Sequence, residues 1–120
     1  MTTDVKYLTL TDENFELEVL QSHTLVMVDF WAVWCGPCRI MNPVIAAIAE
    51  QFLGKVKVGK LNADDYEQLA TRYHIEAIPT LLFFYQGQIV DRLAGVVSES
   101  ALSDRLHDLL KHDAPVESSV

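Results

Sequence analysis

The chain has 120 residues and a formal net charge of −8, which suits one compact domain and argues against a nucleic-acid partner, because like charges repel. Half of the residues are apolar and 22% are charged, the balance of an ordinary soluble globular protein. The longest apolar-rich stretch, Leu25 to Trp34, is interrupted by Asp29 and is too short to span a bilayer, and Met1 to Leu10 carry charges without a long apolar core, so the expected location is cytoplasmic.

In chain order, Tyr7 to Leu10 reads as a short strand. Thr11 or Asp12 can cap a helix to about Gln21, with Phe15, Val19 and Leu20 on its inner face. Leu25 to Trp31 is apolar on both alternating faces, the pattern of a central, doubly covered strand. A helix from about Pro37 to Phe52 places Ile40, Met41, Val44, Ile45, Ile48 and Phe52 at helical spacing; Pro43 should kink it and Gly54 should stop it. Val56 to Leu61 is the next strand, with Val56, Val58 and Lys60 on one face. Asp64 or Asp65 opens a helix through about Tyr73. Thr80 to Tyr85 and Ile89 to Ala94 form a hairpin around Gln86-Gly87-Gln88. Ser98 caps a last helix that turns Ala101, Leu102, Leu106, Leu109 and Leu110 inward. Alternation of strands and helices predicts a mostly parallel sheet with helices on both faces and one antiparallel hairpin. Residues 1–112 form the expected domain, and 113–120, polar and carrying Pro115, a flexible tail.

The two cysteines, Cys35 and Cys38, sit three apart within Trp34-Cys35-Gly36-Pro37-Cys38. A disulfide closing so short a loop adds little stability, so the pair reads as catalytic or metal-binding. At the start of a helix, Cys35 meets backbone N–H groups and the helix dipole, which favour the thiolate that attacks disulfides. Cys38, one turn further in, is expected to be more buried and to act as the resolving thiol. Gly36 and Pro37 keep the turn tight, and Arg39 adds positive charge nearby. Zinc would need four ligands, and no other cysteine exists. His107 and His112 lie far along the chain, and five helical positions rotate them apart by roughly 140°. No metal site is expected.

Asp29 lies within the apolar strand. A carboxylate buried there should have a raised pKa and could exchange a proton with Cys38, directly or through water. A carboxylate reaching solvent at the strand end, or paired with Lys60 for structural reasons, is the alternative. Pro79, just before Leu81-Leu82-Phe83-Phe84, cannot donate a ladder hydrogen bond and must sit at a strand entrance.

Together these residues resemble the thioredoxin family. Val28-Asp29-Phe30-Trp31-Ala32 followed by Trp34-Cys35-Gly36-Pro37-Cys38 is similar to its active-site segment, and Pro43 to its helix proline. Lys60-Leu61-Asn62, Ile78-Pro79-Thr80, Gly87 and Gly95 match further motifs in order, and the resemblance covers residues 5 to 111. It implies a thioredoxin fold of the α/β class, with a central five-stranded mixed sheet flanked by four helices. It implies a protein-disulfide reductase in which Cys35 attacks, Cys38 resolves and Asp29 handles the proton, with Lys60 tuning Asp29. Pro79 would be cis, and Trp34, Ile78, Gly95 and Val96 would line the substrate groove. The reversible Cys35–Cys38 disulfide would replace any cofactor. Partners would be disulfide-containing proteins and a thioredoxin reductase drawing on NADPH or ferredoxin, with no nucleic acid, no membrane and a monomeric chain. A non-catalytic thioredoxin-fold subunit of a larger assembly is the alternative. The departures are His74, Glu76 and Ala77 before Pro79, which make the groove more acidic, and Asn42 before Pro43, where a small apolar residue is usual.

Overall fold

The computed structural model describes residues 5–111. The expected tail at 113–120 and His112 lie outside them. Five strands, β1 (Leu8–Leu10), β2 (Leu25–Trp31), β3 (Val56–Asn62), β4 (Thr80–Tyr85) and β5 (Gln88–Ala94), form one sheet in the order β1-β3-β2-β4-β5. β1, β3 and β2 run parallel, whereas β4 and β5 are antiparallel to their neighbours. The helices are α1 (Gly36–Gln51), α2 (Glu67–Arg72), α3 (Glu99–Lys111) and a π-helical turn at Glu16–Leu20. This is the expected α/β fold with a five-stranded mixed sheet and four helices.

β2 sits in the middle, and every residue of it except Trp31 is buried. Its side chains alternate between two cores. Met27 joins Val58, Leu81 and Phe83 under Met41, Ile45 and Ile48 of α1 and Leu102 and Leu106 of α3. Val28 and Phe30 join Leu61, Leu82 and Phe84 under Phe15, Val19 and Leu69 on the opposite face. By this alternation Asp29 belongs to the face covered by α1 and α3.

The ends of the elements refine the sequence expectations. Thr11 Oγ1 accepts from the Asn14 N–H at 3.2 Å, and Asn14 Oδ1 accepts from the Thr11 N–H at 2.7 Å, a reciprocal cap. The chain then winds more widely than an α-helix, with the Gln21 N–H donating to Glu16 O at 2.9 Å, five residues back. Phe15, Val19 and Leu20 still pack on the sheet. The helix expected from Asp64 or Asp65 starts instead at Glu67, because Asn62 Oδ1 takes the Asp64 and Asp65 N–H groups at 2.9 and 3.3 Å and holds a turn there. Ser98 Oγ accepts from the Ala101 N–H at 3.0 Å. Ala101 itself is exposed, and so is Ile40; spacing placed both on inner faces, but they fall at the edges of the apolar stripes. The hairpin loop is shorter than expected: Gln86 and Gly87 alone form it, with φ of 52° and 81°, and Gln88 already pairs with Tyr85.

Gly59 of β3 has a steric role. A Cβ there would meet Leu10 Cδ1 at 2.5 Å and Cγ at 2.8 Å, and Leu10 is buried. Replacing Gly59 by Ala should therefore push β1 outward and cost about 1–3 kcal/mol of stability. Urea unfolding checks this, and an unchanged midpoint would show that β1 shifts freely.

Candidate active site

The cysteine pair sits where β2 gives way to α1. After Trp31 the chain turns, and the Cys35 N–H donates to Ala32 O at 3.2 Å. Cys35 is the N-cap of α1, with extended backbone (φ −89°, ψ 110°), and its Sγ accepts from the Cys38 N–H at 3.1 Å. A helix start leaves such N–H groups without backbone partners, so here one of them points at sulfur. Pro37 occupies the first turn, where a missing N–H does no harm. The two sulfurs are joined as a disulfide, with Cα atoms 5.3 Å apart. The expected difference in burial is absent in this oxidised pair: Cys35 is 3% exposed and Cys38 2%. Both cysteines belong to one small buried cluster with Ala32. Gly36 and Pro37 remain exposed between them.

Three loops meet around the pair. Trp34, 68% exposed, is held by its indole Nε1–H, which donates to Asp64 Oδ2 at 2.7 Å. The Ile78–Pro79 peptide bond is cis, and Ile78 O lies 3.7 Å from Cys35 Sγ. The Gly95 N–H donates to Pro79 O at 2.9 Å. Gly95 has φ of 91°, and a Cβ there would touch nothing, so its requirement is conformational rather than spatial. Val96 beside it is exposed, and Ile78 is half-buried. From the edge strand, Arg92 Nη2 donates to Tyr73 O at 2.8 Å and anchors the segment leading to Pro79. Exposed apolar side chains thus ring a disulfide that is itself sheltered.

Asp29 is 1% exposed, and neither carboxylate oxygen has a protein hydrogen-bond partner. Burial pushes its pKa from the ordinary 3.8 to about 7, opposed by the positive charge of Lys60, its register partner on β3. The Lys60 ammonium does not bond to Asp29. It donates to Asn42 Oδ1 at 2.6 Å, and it lies 4.7 Å from the Trp31 ring centroid and 5.3 Å from that of Tyr7. Burial lowers the Lys60 pKa, and Asp29 acts to raise it.

Sequence reasoning missed two residues here. In the sequence Asp64 reads as a helix cap, and its bond to Trp34 spans thirty positions with no local signal. Asn42 stood out only as an unusual polar residue. Among the described residues, no group of three or more His, Cys, Asp or Glu is placed to hold a metal ion. His107 packs on Phe52 instead, at 4.9 Å between ring centroids. No helix among the described residues is long and apolar enough to cross a membrane.

Comparison with known proteins is consistent along the chain. A family model described as Thioredoxin matches residues 6–108. Thioredoxin 1 of Nostoc sp. is 50% identical over 97 residues, covering 81% of this chain and 91% of the relative. Thioredoxin of Porphyra purpurea is 46% identical over 98 residues, covering 82% of this chain and 92% of the relative. Thioredoxin of Buchnera aphidicola is 42% identical over 106 residues, covering 88% of this chain and 98% of the relative.

The buried carboxyl makes stability depend on pH in a definite sense. Its pKa is higher folded than unfolded, so the native state holds the proton more tightly. Stability associated with this group is intact below pH 3.8 and is lost as pH rises to about 7. Asp29→Asn should therefore stabilise the fold by on the order of 3–4 kcal/mol at pH 8, and the gain should vanish as pH falls below 4. Denaturant unfolding at several pH values reads this directly; a gain independent of pH would contradict it.

Proposed function

The chain belongs to the thioredoxin family and is a thioredoxin-type thiol–disulfide oxidoreductase, and from that premise we propose how its residues divide the reaction. In the reduced protein the Cys35 thiolate attacks one sulfur of a substrate disulfide. A mixed disulfide forms, and one substrate sulfur leaves as a thiolate. The Cys38 thiol gives its proton to the Asp29 carboxylate. The Cys38 thiolate then attacks Cys35 Sγ and expels the second substrate sulfur. Two electrons pass to the substrate, and Cys35 and Cys38 end as a disulfide.

The observation that carries this assignment is the disulfide itself, formed across the first turn of α1 with the Cys38 N–H aimed at Cys35 Sγ. That N–H stabilises negative charge on Cys35 when the pair is open. A carboxyl with a pKa of about 7 can take up and return a proton at neutral pH. The exposed Trp34 and Val96, with Ile78 and Gly95, form the face on which an extended substrate segment docks. Pro79 and the Gly36-Pro37 turn shape it.

The family implies disulfide-bearing proteins as substrates and a thioredoxin reductase as the source of electrons. In this reading the reductase draws on NADPH or ferredoxin, the chain works as a cytoplasmic monomer, and no cofactor is needed beyond the protein's own sulfurs. Glu76, exposed just before Ile78-Pro79, biases the choice of substrate towards basic faces.

Two measurements test the assignment. With dithiothreitol as electron source, Cys35→Ser should abolish insulin reduction, and Cys38→Ser should accumulate a mixed disulfide through Cys35. Retained function of Cys35→Ser in the cell would favour a non-catalytic subunit role. Separately, Glu76→Arg should raise the rate several-fold on acidic disulfide substrates and lower it on basic ones, more strongly at low salt. Unchanged preferences would remove Glu76 from partner selection.

A further inference from the structure

Lys60 and Asp29 face each other in register, one cation beside one carboxylate, yet they are not bonded. The ammonium instead donates to Asn42 Oδ1 at 2.6 Å, on the helix that begins with the cysteines. We propose that Asn42 is a positioning residue: its side-chain carbonyl holds the Lys60 ammonium off Asp29, leaving the buried carboxylate free to carry a proton.

Lys60 lines a cavity with Asn62 and Asp65, yet among the described residues its ammonium bonds to neither. Its ammonium lies over the rings of Trp31 and Tyr7, which attract a cation but accept no conventional hydrogen bond. Asn42 is the one side-chain acceptor it uses among the described residues. The Asp29 oxygens are unpartnered acceptors in the same sheet register. A buried cation released from Asn42 would move towards them, because pairing relieves the desolvation of both charges. Among the described residues, Lys60 is also the one charged group that acts on Asp29. The other elements on that face supply Leu81 from β4, Met41 and Ile45 from α1, and Leu102 and Leu106 from α3, all apolar. Cys38 of α1 titrates only when the disulfide is open. Asn42 is itself exposed, so its side chain can be shortened without opening a cavity. The tether is thus a surface control on a buried proton site.

The functional weight of this inference rests on the proposed role of Asp29, and the experiment separates the two. The Asp29 carboxyl is titrated by carbon-13 NMR in the full-length oxidised protein and in two variants. In Asn42→Ala the midpoint should fall by about one pH unit, as expected when a cation closes on a carboxylate. In Asn42→Asp an oxygen acceptor remains and negative charge is added, so the midpoint should stay level or rise. An unmoved midpoint in Asn42→Ala, or the same fall in both variants, would overturn the tether. The pH profile of insulin reduction is then compared. An acid limb that moves down with the Asp29 midpoint supports both the tether and the role of Asp29. A fall in the midpoint with an unmoved profile supports the tether and removes Asp29 from the rate-determining proton transfer.

Discussion

β2 is hydrogen-bonded along both edges, to β3 in parallel and to β4 in antiparallel register, and it buries side chains on both faces. A strand so enclosed has no freedom to slip, since a shift of one residue would turn every buried side chain to the other face. That constraint sets the height of Asp29 in the sheet, opposite Lys60 on one side and Leu81 on the other. It also sets where the strand ends, and so where the Cys35–Cys38 turn begins.

The same end of the sheet collects the other parts of the site. β3 runs parallel to β2, so the loop after it delivers Asp64 to the Trp34 indole. β4 runs antiparallel, so its beginning, with the cis Ile78–Pro79 bond, reaches the same edge. β5 returns from the hairpin and ends there at Gly95, whose N–H bonds to Pro79 O. Four separate segments converge because strand direction brings one terminus of each to one rim.

In the proposed reaction, Asp29 is where stability and chemistry conflict. An unpartnered carboxyl in an apolar layer is costly when charged, so burial raises its pKa to about 7 and favours the neutral form. Direct pairing with Lys60 would relieve the burial and also lock the group in its charged form. The observed arrangement keeps the cation close enough to oppose the shift and bonds it elsewhere, to Asn42. A fold selected for stability alone would have an apolar residue at position 29.

Much of this was legible in the sequence, because the signals are local. The doubly apolar run at Leu25–Trp31 marked the central strand, and an acid inside it marked the buried carboxyl. Cys-Gly-Pro-Cys at a strand-to-helix junction marked the reactive pair, since a helix start exposes N–H groups whatever the rest of the chain does. Spacing was less reliable at the margins of a stripe, as Ile40 and Ala101 show, because periodicity gives a direction and not a depth. The grip of Asp64 on Trp34 and the grip of Asn42 on Lys60 were decided only by tertiary structure. Each depends on where a side chain finds a partner once neighbouring strands and helices have packed, and no local pattern encodes that distance.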